Sequence, residues 1–235
     1  MKASKLGLLL LLGSECFAKP GAAGSVGPVS NPMQIVLLLT AMTFLPAIVM
    51  CLTPFLRITV VLHFLRQALG TQTVPSNQVL IGLALFLTLL VMQPVAGEIY
   101  TKAWEPLESG QLTMSAALEE GAKPLRTYLL KFVREPEVKL FLEISKTAPP
   151  ARPADLDMKI VAPAYILSEL KASFQIGAML FLPFLVIDLM VASVTLTVGM
   201  VQLPPVTLSA PFKLLLFVLV DGWNLVVGSL MKSLY

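Results

Sequence analysis

Arg66-Gln67-Ala68-Leu69-Gly70-Thr71-Gln72, followed by Pro75, Asn77 and Gln78, places a short polar turn between two long apolar runs. Gly and Pro interrupt regular backbone, and the amide side chains supply the turn with local hydrogen bonds. The flanking runs are each near the ~20 residues that a bilayer core demands of a helix. A helix satisfies its own backbone in lipid, so the stretch reads as the joint of two membrane-grade helices.

Outward from that joint, four apolar segments stand at about 33–56, 77–97, 174–199 and 211–231. The chain of 235 residues is 56% hydrophobic and only 13% charged, about half the charged fraction of an ordinary soluble domain. Its charges are concentrated: residues 98–160 hold ten of the fourteen acidic and nine of the seventeen basic groups. One polar module therefore interrupts an apolar protein. A net charge of +3, dispersed along the chain, argues against nucleic acid as a partner, since that needs Lys and Arg clustered on one face.

The N-terminus carries Lys2 and Lys5, an apolar run from Leu6 to Leu12, and small side chains at Cys16 and Ala18. This pattern is a secretory signal peptide with cleavage between Ala18 and Lys19. Its apolar run is too short to span, and Glu15 disfavours a lipoprotein signal at Cys16. Cleavage leaves Cys51 alone, without an intrachain disulfide partner. The organisation expected is a signal peptide at 1–18, a flexible Gly/Pro/Ser-rich leader at 19–32, a first helical hairpin at 33–97, the polar module at 98–160 and a second hairpin with a pore loop at 161–235. The fold class is all-α, with kinked membrane-type hairpins.

A removed signal puts the mature N-terminus outside. Arg57, His63 and Arg66 then fall on the cytoplasmic side, as does Lys213, in keeping with the positive-inside bias. The module at 98–160 lies on the opposite side. Leu125, Tyr128, Leu129, Phe132 and Val133 recur at helical spacing there, and Val138, Phe141, Leu142 and Ser145 suggest a second short helix bounded by Pro136 and Pro149-Pro150.

Three constellations stand out. Pro46, Pro54, Pro94 and Pro183 lie in apolar segments, where proline kinks or breaks a helix; Pro46, Pro54 and Pro183 are the expected breaks, shaping either a path or only the packing. Glu169, Asp188, Lys213 and Asp221 are the ionisable groups in or beside these segments. A bare charge at a helix centre costs roughly 2.5–3.5 kcal/mol on insertion scales, so pairing within the membrane or between subunits is expected. For a hairpin turning at Pro204-Pro205, Lys213 misses Asp188 by on the order of 10 Å of depth; the expected partner is Asp188 of a neighbouring, staggered subunit. Arg57 and Lys232 are expected to snorkel to the interface. Finally, Met200, Val201, Gln202 and Leu203 form an uncharged loop between Gly199 and Pro204. Lipid does not tolerate such backbone unless protein or a water-filled cavity surrounds it. A flexible methionine could close a channel there, although a hairpin turn at the membrane surface is the simpler reading of these residues alone.

Catalysis finds too few parts. Asp188 and Asp221 lack the Gly-x-Gly-Asp context of intramembrane aspartyl proteases. His63 is the one histidine, so metal sites and His-based triads are not expected. No phosphate-binding Gly-rich Lys loop is present, and no cofactor is implied.

Two blocks go further. The first runs from Leu62-His63-Phe64-Leu65-Arg66-Gln67-Ala68-Leu69-Gly70-Thr71-Gln72 through Pro75 to Asn77-Gln78-Val79-Leu80-Ile81-Gly82 and on to Thr88. The second comprises Pro163-Ala164-Tyr165-Ile166-Leu167-Ser168-Glu169-Leu170-Lys171, Phe174-Gln175-Ile176-Gly177, Pro183-Phe184-Leu185, Ile187-Asp188-Leu189, Pro211-Phe212-Lys213 and Val220-Asp221-Gly222-Trp223. Together they resemble the FliP family of flagellar type III export-gate subunits across most of the mature chain. Injectisome relatives share the architecture, but Asn77-Gln78-Val79-Leu80-Ile81-Gly82 favours the flagellar branch. Ser76 replaces a proline common in the family.

The resemblance implies a non-enzymatic subunit of a homo-oligomeric ring in the bacterial inner membrane, at the flagellar basal body. Its implied partners are FliQ, FliR, FlhB and FlhA type subunits and the unfolded flagellar proteins that the channel admits. It implies tilted hairpins in an assembly standing largely above the bilayer plane, and it places the module at 98–160 on the periplasmic side. Met200, Val201 and Gln202, with Leu203 beside them, fall on a methionine-rich gasket loop of the family. Here only Met200 is methionine and Gln202 is polar, so constriction by the loop is expected rather than a methionine seal. The same comparison gives Glu169, Asp188 and Lys213 interhelical or intersubunit roles. A different class, a small-solute or ion secondary transporter using Asp188 and Asp221, would show an inverted internal repeat, and none is visible.

Overall fold

Ile58, Val61, Leu62 and Leu65 precede the polar turn at spacings of three and four, the period of one helical face. In the computed structural model, which describes residues 31–71, 73–150, 152–199 and 204–235, these side chains are the buried stripe of helix α2 (Phe55–Ala68). The signal peptide with its Ala18–Lys19 junction, the leader up to residue 30 and the loop Met200–Leu203 lie outside the described residues. The chain divides between Leu45 and Pro46. The described part of the first unit is the beginning of helix α1 (Asn31–Cys51), on which Leu37, Leu39, Met42 and Phe44 are exposed.

In the second unit, α2 ends where Gly70 takes φ +74°, a left-handed conformation open to glycine at little cost. The side chains of the turn close it. Arg66 Nη1 donates to Asn77 Oδ1 at 3.0 Å, His63 Nε2 lies 3.2 Å from the same oxygen, and Thr71 Oγ1 donates to the Arg66 carbonyl. Helix α3 (Asn77–Ile99) then runs back beside α2, burying Leu80, Ala84, Leu87 and Val91 against Ile58, Val61 and Leu62. The expected joint of two helices is therefore present, but the helix before it is short, because α1 stops at Cys51 and α2 restarts after Pro54.

Helix α3 does not end with its apolar run. It passes through a wide π turn at Tyr100–Trp104 into helix α4 (Glu105–Glu108), giving one continuous rod over Asn77–Glu108. Thr113 caps helix α5 (Met114–Phe132) by accepting from Ala116 N, and helix α6 (Glu135–Ser145) follows with Pro136 in its first turn. These are the two amphipathic helices expected of the polar module. Leu129 and Leu142 bring them against Ile160, Val161 and Tyr165 of helix α7 (Met158–Thr197).

Asp157 starts α7 by accepting from Lys159 N at 3.1 Å. The helix has 40 residues, about 60 Å at 1.5 Å per residue, and so begins well before the apolar segment expected at 174–199. The earlier turns are helical because Ile160, Val161, Ala164, Tyr165 and Ser168 form a buried face, a signal that mean hydropathy dilutes with neighbouring charges. Helix α7 runs unbroken through Pro163 and Pro183, and α1 through Pro46. Of the three expected breaks, only Pro54 marks one: a single proline removes one hydrogen bond from the ladder, which the remaining turns of a long helix absorb. Pro94 likewise sits inside α3.

The last apolar segment is broken where an unbroken helix was expected. Helix α8 (Pro205–Leu219) and helix α9 (Gly222–Lys232) meet at a bend of 68°. Asp221 at the bend has φ +51°. Gly222 lies so close to the Phe217 ring that a Cβ would collide with it. Val220-Asp221-Gly222-Trp223 is thus a hinge that folds α9 back, and Trp223 packs edge-on against Phe217 at 5.4 Å. Among the described residues there is no strand, and two helices are long and apolar enough to cross a membrane, or up to four if each bent pair counts as one.

Candidate functional site

Three of the four charges expected to need partners, Glu169, Asp188 and Lys213, are paired inside the chain. Arg57, in the first turn of α2, directs Nε and Nη2 onto the two oxygens of Glu169 at 2.8 and 2.5 Å. Its Nη1 donates to the Ser233 carbonyl just past α9 at 2.9 Å, and the guanidinium lies 5.3 Å from the Phe132 ring centre of α5. Glu169 is fully buried and Arg57 is 6% exposed. The two-pronged geometry is one that Lys cannot reproduce. Four elements (α2, α5, α7 and the end of α9) converge on one guanidinium.

One expectation changes here: Arg57 does not snorkel, because its charge is neutralised in place, with Phe132 of the 98–160 module beside it. Lys232 is exposed.

Beside this junction the Tyr128 phenol is pushed above its ordinary range, first by burial and then by the nearby Glu169 carboxylate. Lys171, two residues along α7 from Glu169, reaches the buried Glu137 of α6 at 3.2 Å. Lys171–Glu137 ties the module to α7, and Arg57–Glu169 ties α2 to α7.

At the other end of α7, Lys213 Nζ lies 2.7 Å from Asp188 Oδ2, and Ser209 Oγ donates to Asp188 Oδ1. Lys213 is 3% exposed. This pair closes within one chain rather than requiring a staggered neighbour. The depth argument placed the turn wrongly: α7 ends at Thr197 and α8 starts at Pro205, so Asp188 and Lys213 stand at nearly equal distances from their helix ends, and the lysine stem spans the rest. Asp221 is exposed at the hinge, where Asn224 Nδ2 donates to it at 3.2 Å; it is not in the middle of a helix.

The Asp188–Lys213 clamp sits a little over two helical turns before the end of α7 at Thr197 and after the start of α8 at Pro205. Leu65, Ala68 and Leu69 pack with Phe184 and Phe217 near it, so the hairpin is held at its loop end by the α2 side of the polar turn. Beyond these contacts α7 is bare: Met179, Leu182, Leu185, Leu189, Met190 and Val194 are between 59% and 69% exposed apart from Leu185 at 50%. Ser209 and Ser233 were not anticipated; Phe132, Gly177 and Gly222 stood in the sequence patterns above, but without the contacts they make here. Among the described residues no three His, Cys, Asp or Glu side chains converge as metal ligands. The arrangement is one of clamps and bare apolar faces, suited to fixing a hairpin and presenting it.

Comparison with known proteins bears on what such a hairpin serves. The chain is 49% identical to a flagellar biosynthetic protein FliP of Pectobacterium carotovorum subsp. carotovorum over 203 residues, covering 86% of this chain and 79% of that protein. It is 48% identical to a flagellar biosynthetic protein FliP of Cereibacter sphaeroides over 201 residues, with 86% and 67% coverage. A flagellar biosynthetic protein FliP of Bacillus subtilis (strain 168) is 45% identical over 205 residues, with 87% and 93% coverage. The FliP family model matches residues 38–230, which includes both clamps, the polar turn and the Val220–Trp223 hinge. A continuous match of that extent leaves one conclusion: the chain belongs to the FliP family of flagellar biosynthetic proteins.

Proposed function

We propose that this chain is a ring-forming subunit of the flagellar type III export gate, in which several copies surround an entrance channel for unfolded flagellar proteins. Glu169, Asp188 and Lys213 are paired internally while the outer faces of α7 and α8 are apolar and bare, and this single contrast carries the reading. Contiguous apolar surface on that scale marks an interface with lipid or protein, and a channel needs both kinds.

The loop Met200–Leu203, at the tip of the clamped hairpin, is the constriction. Gln202 makes it a narrow ring rather than a methionine seal. The polar module at 98–160 faces the periplasm of the inner membrane, at the end remote from the loop, so cargo meets the loop end first. FliQ, FliR, FlhB and FlhA type subunits are its neighbours. It performs no catalysis. Asp188 is engaged by Lys213 and Ser209, which leaves it unsuited to the ion-binding role of a secondary transporter. Co-expressed with its FliQ and FliR type neighbours and purified in mild detergent, the chain should elute as one multimer containing several copies of itself. A monodisperse monomer or dimer would contradict the proposal.

A further inference from the structure

The polar module carries two exposed faces that differ in charge. The first follows the π turn of the α3–α4 rod, where Tyr100, Trp104 and Glu108 recur at intervals of four, about one helical turn each. Tyr100 is 54% and Trp104 58% exposed, and Glu105 and Glu108 are exposed beside them. Lys102 offsets Glu98 at 2.7 Å. Among the described residues Glu105 and Glu108 have no ion-pair partner, so this face is aromatic with a surplus of negative charge.

The second face is the outer side of α6. Val138, Phe141 and Leu142 turn inward, which leaves Pro136, Leu140 and Ile144 in line outside. Leu140 is 43% and Ile144 67% exposed. Lys139 and Glu143, one turn apart at exposed positions, offset each other, and Glu135 lies at the far end of the helix. The charge left over beside Ile144 is Lys146. Lys146 closes α6 with φ +52°, a left-handed conformation in which a helix end ordinarily carries glycine. Such an outlier points to a use for the side chain: the exposed ammonium stands at the tip of the apolar line.

Helix α5 separates the two faces. A β-carbon at its Gly121 would lie 3.3 Å from Ala103 Cβ in the π turn, while eight residues further on Leu129 packs with Leu142 of α6, about 12 Å along the helix. The acidic face would repel a copy of itself, so a contact between identical modules joins unlike faces. Contacts of that kind are heterologous and repeat from copy to copy around a ring. Trp and Tyr are also the residues that most often anchor protein interfaces.

We infer that the α6 face of one copy docks on the Tyr100–Glu108 face of the next, with Leu140 and Ile144 against Tyr100 and Trp104, and Lys146 between Glu105 and Glu108. The inference rests on the ring reading proposed above and names the surfaces by which the modules join in it.

Cysteines at Ser109 and Thr147, exposed neighbours of Glu108 and Lys146, probe the contact without altering it. In a Cys16→Ser, Cys51→Ser background, with the whole export gate in membranes, a short bis-maleimide should join the double variant Ser109→Cys/Thr147→Cys into a ladder of multimers. Each single variant should stay uncoupled, and the two single variants mixed in one cell should give dimers only. Lys146→Glu should weaken the ladder severalfold, and Glu105→Lys/Glu108→Lys in the same chain should recover most of it. Lys146→Gly separates docking from folding: it relieves the left-handed strain, so the melting temperature should hold or rise while the ladder still weakens. Coupling within one single variant, coupling to a different protein, or a ladder unchanged by Lys146→Glu overturns the assigned faces. A gate that holds several copies yet yields no ladder also overturns them and leaves the ring standing, whereas a gate with one copy overturns ring and contact together.

Discussion

Gly222 shows how one missing side chain sets the path of a helix. The Phe217 ring occupies the space of its absent Cβ, so α9 can fold back only if residue 222 is glycine. Overpacking of this kind costs about 1–3 kcal/mol, and Gly222→Ala should lower the detergent melting temperature of the complex and reduce swimming. Adding Phe217→Leu should recover part of the loss. Gly177 is the parallel case: a Cβ there would lie 2.5 Å from the Phe64 ring, which also packs edge-on against Phe174 and Phe181. Tyr128 offers a pH test. Its folded-state proton is held more tightly than the ordinary phenol's, which is lost near pH 10. Below that pH both states keep the proton and the phenol adds no pH dependence. Above it the unfolded chain releases its proton while the folded chain does not, so stability falls as pH rises. Alkaline melting curves should show a shallower decline for Tyr128→Phe than for the wild type; equal slopes would reject the assignment.

The elements were legible wherever a local pattern ruled them. The Arg66–Asn77 turn, the buried stripe of α2 and the two module helices all follow from spacing and punctuation. Less legible were the lengths of α3 and α7, because a helix continues past the end of its apolar run when a buried face persists. The α8–α9 hinge was hidden because hydropathy does not register a glycine's contact with a ring five residues earlier. The Arg57–Glu169 junction escaped for a related reason, since the two are 112 residues apart and no periodicity links them; Asp188 and Lys213 were matched, but across two copies, because the turn was set too late in the chain. At this scale the Asp188–Lys213 clamp makes a sharp prediction. Removing one partner of a buried pair costs about 3–5 kcal/mol, so Asp188→Lys and Lys213→Asp should each abolish motility. The double variant should restore it at least partly, whereas mixing the two single variants in one cell should not, since a pair closed within one chain cannot be completed by another. Restoration by mixing would move the pair to an interface between subunits.

For the molecule as a whole, the Arg57–Glu169 junction and the Asp188–Lys213 clamp fix the second unit from both ends of α7, and the apolar faces between them remain uncovered. Arg57→Lys keeps the charge but loses the fork, and should leave fewer assembled complexes in membranes, as quantified by blue native electrophoresis. In the proposed ring, assembly covers the bare hairpin, and the tip of that hairpin is shared among copies around a channel. The direct measurement is disulfide trapping at that tip. In a Cys16→Ser, Cys51→Ser background, a single Val201→Cys should yield oxidant-dependent dimers of identical chains in intact membranes, because disulfide formation requires Cα atoms within about 7 Å. If Val201→Cys never joins two copies, while a cysteine at the exposed position Leu118 in the polar module behaves no differently from it, the loops do not meet and the ring account fails.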